Sequence, residues 1–277
     1  GMMLTQPNTL GLFEDQIEEV SKVIHNVDGL MYMDGANLNA LVGLVKPSLM
    51  NFDIMHINLH KTFSTPHGGG GPGSGPVAVN NKLSSFLPGP MIEFDKKERK
   101  YFFDYINKNS IGRVHSFYGN YGILVRAYVY IKSLGNKGLK DISQYAVLNS
   151  NYLKFLLSKH FDIPFSYGTL HEFVISSLKQ KKRGVKALDI AKSLLDYGFH
   201  SPTIYFPINI DESIMIEPTE TESKETLEAF ANAMIDIDTK IESENEMLTN
   251  GPFMTPVRRL DETKANRELD VRHTSDK

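Results

Sequence analysis

The chain has 277 residues, of which 41% are hydrophobic, enough to bury a sizeable core. Its formal net charge of −3 lacks the basic excess that nucleic acids or anionic membrane surfaces select, and no apolar run reaches the roughly 18 residues needed to cross a bilayer. Cysteine is absent, which excludes disulfides and thiolate nucleophiles. The composition therefore predicts a globular, cytoplasmic protein with no nucleic-acid partner and no membrane partner.

The first 80 residues alternate between strand and helix patterns. An apolar stub from Met3 breaks into a turn at Pro7, as the end of a strand would. Apolar residues recur at steps of three and four over residues 13–27, which predicts an amphipathic helix. Short apolar runs predict strands at residues 30–33, 54–59 and 77–79. This alternation predicts an α/β domain with a parallel or mixed sheet over residues 3–100.

The remaining chain predicts a connector, a smaller domain and a tail. Residues 88–130 read as a long connector, and the apolar stretch 123–134 predicts a helix between domains. Further helices are predicted at 142–156, 185–197 and 221–241, and strands at 161–165, 172–178 and 213–217. Gly198 suits a helix C-terminus, and Thr or Ser suits the start of the last helix. The domain prediction is a connector and interdomain helix at 101–140, a small α+β domain at 141–248 and a polar tail at 249–277.

The densest chemical signal is the segment around Lys61. Six glycines fall between Gly68 and Gly75, but the Gly-Lys-Ser/Thr ending of a nucleotide-binding loop is missing. Lys61 and Asp34 instead follow two neighbouring predicted strands, where ligands of α/β sheets bind. A lysine amine can form a Schiff base with an aldehyde, and a carboxylate can hold a pyridine nitrogen protonated, so this pair suits pyridoxal phosphate.

Several candidate residues also have structural interpretations. Lys61 could be a surface lysine, Asp34 a turn residue, and the glycines a tight chain reversal. His60, Thr62 and His67 could merely form hydrogen bonds with local backbone groups. His171, His200 and Glu217 could be structural residues beside apolar strands. Arg113 and Arg126 are candidates for gripping a substrate carboxylate, without a motif to support either. Neither HExxH nor a clustered acidic loop is present, so a metal site has no support.

Several motifs together resemble one enzyme family. They are YMDGANLNA at 32–40, HINLHKTF at 56–63, PHGGGGPG at 66–73, NY at 151–152, HEF at 171–173, DYGFH at 196–200 and EPTE at 217–220. The chain is similar to the P-protein of the glycine cleavage system, the pyridoxal-phosphate-dependent, decarboxylating glycine dehydrogenase, and most similar to subunit 2 of its two-subunit bacterial form. The resemblance implies part of the large domain of an aspartate-aminotransferase-like, fold-type-I enzyme, followed by a small α+β carboxy-terminal domain.

The resemblance also implies roles for individual residues. Lys61 would be the Schiff-base lysine, Asp34 the partner of the pyridine nitrogen, and Ala36 a neighbour of the ring. His60 and Thr62 would lie near the phosphate or the aldimine, with His60 counted among the catalytic residues. A mobile loop at the mouth of the site would comprise His67, Gly68, Gly69, Gly70 and Gly71.

The implied reaction is decarboxylation of glycine with transfer of the aminomethyl group to the lipoyl arm of the H-protein. The implied partners are glycine dehydrogenase subunit 1, the lipoylated H-protein and further copies in a homo- or hetero-oligomer. Family members carry more of the large domain ahead of Met3, so the chain is expected to be a carboxy-terminal fragment with little activity alone. Two alternatives stay open: another fold-type-I pyridoxal-phosphate decarboxylase, and a non-catalytic assembly fragment.

Overall fold

The computed structural model describes residues 1–105, 109–114 and 117–272. These residues form two compact units. The first comprises residues 1–151, 167–172 and 218–221, and the second comprises residues 152–166, 173–217 and those from 222 onward. Within the described ranges, no helix is both long enough and apolar enough to span a membrane.

The first unit contains a four-stranded sheet. Its strands lie in chain order: β1 (Met2–Thr5), β2 (Met31–Gly35), β3 (Ile54–Ile57) and β4 (Val77–Val79). The first three strands are parallel, and β4 runs antiparallel to β3. The predicted mixed α/β sheet is therefore confirmed, and the apolar stub at the start of the chain is its edge strand.

The burial pattern of β2 explains which residues reach the functional face. Met31 and Met33 are fully buried against the core, whereas Tyr32 and Asp34 are half-buried on the opposite face. Successive side chains of a strand alternate between faces, so one apolar row anchors the strand and presents the polar row. The core of this unit is built from residues that include Leu41, Leu59, Phe63, Ile123 and Ile142.

Helix α1 (Ile17–His25) confirms most of the first predicted helix but begins four residues later than predicted. The side-chain amide of Gln6 donates to the carbonyl oxygen of Glu14 at 3.0 Å and accepts from its N–H at 3.0 Å. Both backbone groups of Glu14 are therefore committed to Gln6. This pairing holds the segment before Ile17 in a non-helical conformation.

Two segments, one after β3 and one after β4, contain structure that the sequence pattern did not indicate. Helix α2 (Leu59–Thr62) follows β3, and the predicted connector contains an antiparallel hairpin of β5 (Met91–Asp95) and β6 (Lys100–Asp104). Helix α3 (Tyr121–Leu157) contains both predicted helices, 123–134 and 142–156. They are divided at Gly135, whose φ of 62° and ψ of −173° are not helical and favour glycine.

The second unit packs helices against a three-stranded antiparallel sheet in the order β7–β9–β8. Its elements are β7 (Phe173–Ser176), α4 (Leu178–Lys182), α5 (Ala187–Asp196), β8 (Thr203–Ile204), β9 (Ser213–Ile216), α6 (Lys224–Thr239), α7 (Asn245–Asn250) and α8 (Glu262–Arg267). Its core includes Phe173, Ile190, Leu194, Ile214 and Met234. Gly198 follows α5 at a φ of 80°, and Ser223 caps α6 by accepting from the N–H of Thr226. Both predicted helix ends are thus confirmed.

The predicted strand at residues 161–165 is wrong. Only Asp162 makes a bridge, an isolated antiparallel one to Ser176, and the other residues form turns and irregular chain. Phe161 is buried in the core and Ile163 packs against it, so the alternating pattern marked burial rather than pairing. Pro164 has no N–H to donate to a neighbouring strand, which opposes a ladder at this position.

The chain beyond α7 lies against helix α5. The carboxylate of Asp196 accepts from the N–H groups of Phe253 and Met254 at 2.7–2.9 Å. Arg259 forms an ion pair with the buried carboxylate of Asp189 at 2.8 Å. These contacts tie the first part of the polar tail to the second unit as a strap.

Candidate functional site

Three residues of the parallel strands align at the carboxyl edge of the sheet. Thr5 of β1 is in register with Asp34 of β2, and Asp34 is in register with His56 of β3. Neighbours in register on adjacent strands present their side chains on the same face. The fold therefore brings a hydroxyl, a carboxylate and an imidazole together at the edge where α/β sheets bind ligands.

The Asp34 carboxylate is held mainly through one of its oxygens. Oδ1 accepts from the backbone N–H of Ala36 at 2.9 Å and lies 3.2 Å from His56 Nε2. Oδ2 has a single hydrogen bond among the described residues, a long one of 3.4 Å from Thr5 Oγ1. About a quarter of the side chain is exposed, 24%. Asp34 is thus oriented by the protein and accessible to a ligand.

Lys61 lies in α2, the single helical turn directly after β3. The chain leaves the sheet here and returns beside itself: Leu59 N–H donates to Ser74 at 3.2 Å, and Ile57 N–H donates to Pro76 at 3.0 Å. Leu59 and Thr62 of this turn are buried, whereas Lys61 is exposed. The local fold therefore anchors the turn through its neighbours and leaves the lysine amine accessible.

Residues close to Lys61 in sequence carry polar atoms without partners. Among the described residues, His60 Nδ1, Thr62 Oγ1 and Thr65 Oγ1 are buried and have no hydrogen-bond partner. Unpaired buried polar atoms cost about 1–3 kcal/mol each, and a bound ligand is one explanation for them. Burial, followed by the charges of His67 and Lys61, lowers the pKa of His60. This effect favours a neutral imidazole beside the lysine.

The glycine-rich loop is exposed, and His67 at its start contacts His60. The rings of His60 and His67 meet edge to face, with centroids 4.6 Å apart. Gly68, Gly69 and Gly70 all adopt positive φ angles, which residues with a Cβ rarely adopt. The glycines are therefore required by the backbone conformation of the loop.

His171 is brought to the first unit by residues 167–172 and is fully buried. Burial, with a further contribution from the charge of Lys61, lowers its pKa to about 4. Its Nε2 lies 3.6 Å from Glu172 Oε1, which in turn accepts from the Asn37 amide at 3.1 Å. His171 is thus a fully buried imidazole beside Glu172, and sequence analysis favoured a structural interpretation for it.

Four further candidates are Arg113, Arg126, His200 and Glu217. The guanidinium of Arg113 lies over the ring of Tyr118 at 4.7 Å, and Arg126 is exposed on α3. His200 and Glu217 belong to the second unit.

Sequence analysis missed His56, although it stands in a quoted motif. Its role depends on strand register: His56 pairs laterally with Asp34, and its Nδ1 lies 3.0 Å from the Tyr32 hydroxyl. Once the register of two parallel strands is known, it fixes which residue of one strand lies beside which residue of the other. The sequence shows the strands but not their offset, so the pair was not visible.

Known proteins match this chain along nearly its whole length. Residues 142–252 match the family described as glycine dehydrogenase, C-terminal domain. A Bacillus licheniformis protein named as a probable glycine dehydrogenase (decarboxylating) subunit 2 is 54% identical over 272 residues, 98% of this chain and 56% of that protein. The chain is homologous to glycine dehydrogenase (decarboxylating) subunit 2. It spans about half the length of the curated relatives it matches.

Solved structures support the same fold. The glycine decarboxylase (P-protein) of the glycine cleavage system, in an inhibitor-bound form, matches with a TM-score of 0.71 at 21% identity over 85% of this chain and 54% of that one. A C-DES variant with glycine covalently linked to its PLP cofactor matches with a TM-score of 0.62 at 13% identity, over 84% of this chain and 60% of that one. The predicted fold-type-I architecture of this glycine dehydrogenase homologue is therefore confirmed.

Proposed function

We propose that this chain supplies the pyridoxal-phosphate site of a decarboxylating glycine dehydrogenase. The observation that carries the proposal is an oriented, accessible carboxylate, Asp34, near the carboxyl end of β2, together with an exposed amine, Lys61, in the turn that follows the adjacent parallel strand β3. The homology to subunit 2 along 98% of the chain supports glycine as the substrate.

The chemistry of the donor set fits this cofactor. The Lys61 amine would attach the aldehyde, and Asp34 Oδ2, with its one long hydrogen bond, would accept from the pyridine N–H. The hydroxyls of Thr62 and Thr65 would donate to the phosphate, which would give partners to two buried orphan oxygens. Ala36 would lie beside the ring, held through its N–H bond to Asp34.

Each residue then has a defined task. Pyridoxal phosphate, when bound, accepts the electron pair left behind as the carboxyl group of glycine departs as carbon dioxide. Asp34 keeps the proton on the pyridine nitrogen, because its negative charge stabilises the adjacent positive charge. His60, kept neutral by burial and by neighbouring positive charges, can accept or donate a proton beside Lys61. His67 and residues 68–71 would cover the mouth of the site.

The proposed partners follow from the same homology. The name subunit 2 in the relatives supports a partner subunit, glycine dehydrogenase subunit 1. The aminomethyl group would pass to the lipoyl arm of an H-protein, whose disulfide takes the electrons in that step. Both partners, and the cytoplasmic location, stay predictions from the resemblance.

Release of labelled carbon dioxide from carboxyl-labelled glycine tests the function. The chain is assayed with pyridoxal phosphate, a subunit 1 preparation and lipoylated H-protein. Release is expected to depend on the chain, to vanish in Lys61→Ala and to fall strongly in Asp34→Asn. Lys82→Ala, which removes an exposed lysine on another loop, is the matched control and should retain release. Release that persists in Lys61→Ala would refute the proposed function.

A further inference from the structure

His56 makes hydrogen bonds of opposite character at its two ring nitrogens. Its Nε2 faces Asp34 Oδ1 at 3.2 Å and Asn58 Oδ1 at 3.1 Å. An ionised carboxylate can only accept, so Nε2 must be the donor. A neutral imidazole then accepts at Nδ1, which lies 3.0 Å from the Tyr32 hydroxyl. The contacts define a chain in which Tyr32 donates to His56 Nδ1, while His56 Nε2–H donates to Asn58 Oδ1 and lies 3.2 Å from Asp34 Oδ1.

This chain makes the two oxygens of Asp34 unequal. Oδ1 accepts from the N–H of Ala36 at 2.9 Å and has the electropositive Nε2–H edge of His56 at 3.2 Å. Oδ2 receives a hydroxyl at 3.4 Å, well beyond the 2.7–2.8 Å typical of an O–H···O bond. The carboxylate is therefore fixed through one oxygen and leaves the other for a ligand donor.

The backbone makes this arrangement rigid. Tyr32 and Asp34 lie two residues apart on β2, and His56 is in register with Asp34 on β3. All three side chains therefore rise from the same face of two hydrogen-bonded strands, above the fully buried Met31 and Met33. Sites on regular elements hold their geometry better than sites on loops.

We propose that His56, supported by Tyr32, is the positioning residue that orients Asp34 toward the pyridine nitrogen. The proposal rests on the proposed function, because it concerns how this chain's carboxylate meets that cofactor. His56 acts through Asp34 and needs no contact with the cofactor. The Tyr32 hydroxyl, 3.0 Å from Nδ1, supplies the hydrogen-bond partner of the second ring nitrogen and so supports the orientation of the imidazole.

The first test needs no cofactor. Nitrogen-15 NMR of the chain with labelled histidine reports which ring nitrogen of His56 carries the proton. The Nε2–H tautomer is expected in the wild type, and Tyr32→Phe should reduce its share because the Nδ1 partner is lost. The Nδ1–H tautomer in the wild type would overturn the proposal, since Nε2 would then carry no hydrogen toward Asp34 Oδ1.

The second test measures pyridoxal phosphate binding by absorbance titration. His56→Phe is expected to weaken binding about tenfold, the equivalent of one lost polar contact to Asp34, and to lower the pH at which the bound pyridine nitrogen loses its proton. His56→Gln, which restores an N–H donor, should recover part of both effects. Tyr32→Phe, which removes one oxygen and preserves the ring, should weaken binding about two- to threefold. Circular dichroism checks that each variant folds.

The matched control is His200→Phe, which removes an exposed histidine of the second unit and should leave both readouts unchanged. Equal affinity and an equal titration midpoint for folded His56→Phe and wild type would overturn the positioning role and leave the proposed function standing. Failure of the wild-type chain to bind pyridoxal phosphate at all would instead contradict the proposed function.

Discussion

Replacing Gly35 by alanine tests the strand geometry beneath the site. A Cβ at Gly35 would lie 2.1 Å from the carbonyl oxygen of His56, whereas real Cβ contacts essentially never fall below 3.0 Å. The obstructing atom belongs to the backbone of β3, so no side-chain rotation relieves the clash. Strands β2 and β3 must move apart by about 1 Å at the residue that follows Asp34.

The expected cost of Gly35→Ala is about 1–3 kcal/mol of unfolding free energy, the range for overpacked interiors. Gly75→Ala is the matched control, because its Cβ would lie at an ordinary 3.6 Å from the carbonyl oxygen of Ile57. Both substitutions restrict the unfolded chain equally, by about 0.4–1 kcal/mol, so their difference isolates the clash.

Urea denaturation followed by circular dichroism measures both variants under identical conditions. Gly35→Ala should unfold at clearly lower urea than Gly75→Ala. It should also bind pyridoxal phosphate more weakly, because separation of the strands lengthens the 3.2 Å contact between His56 and Asp34. Equal unfolding free energies for the two variants would refute the register on which the site depends.

Three further predictions concern stability. His171 has its pKa lowered to about 4, so the stability its neutral form provides is complete above about pH 6.5 and is lost as the pH falls toward 4, by up to about 3 kcal/mol. Urea midpoints across this range should flatten in His171→Gln, and an unchanged slope would contradict the burial argument. Arg259→Leu should lower the free energy of unfolding by about 1–3 kcal/mol, because it leaves the buried Asp189 carboxylate without its cation. Its control, Arg258→Leu, removes a cation–π contact to an exposed ring and should lower it by less than about 1 kcal/mol. Phe173→Ala, in the centre of the second core, should cost about 3–5 kcal/mol by calorimetry, and a loss below about 1 kcal/mol would contradict its burial.

The sequence predicted those elements whose patterns are local. Residue spacing or a required φ angle is enough to recognise the buried strands, the helix face of residues 17–25 and the glycine after α5. The same reasoning placed Asp34 and Lys61 beyond neighbouring strands. Their roles toward a ligand stay predictions.

Features that depend on distant partners were not predictable. The alternating residues at 161–165 pack into the core without a partner strand, and the hairpin at 91–104 is exposed on both faces and so shows no alternation. The register that places His56 beside Asp34 depends on how two strands pair, and neither segment alone contains a sequence pattern that reveals it. Contacts of this kind are long-range, and periodicity reports only local burial.

The most direct test of the central claim is to find which lysine holds the cofactor. The chain is incubated with pyridoxal phosphate, reduced with borohydride, digested and mapped by mass spectrometry, alongside Lys61→Ala and the control Lys82→Ala. A reduced adduct is expected on Lys61 in the wild type and in Lys82→Ala, and none is expected in Lys61→Ala. A specific adduct on a different lysine, retained in Lys61→Ala, would contradict that claim.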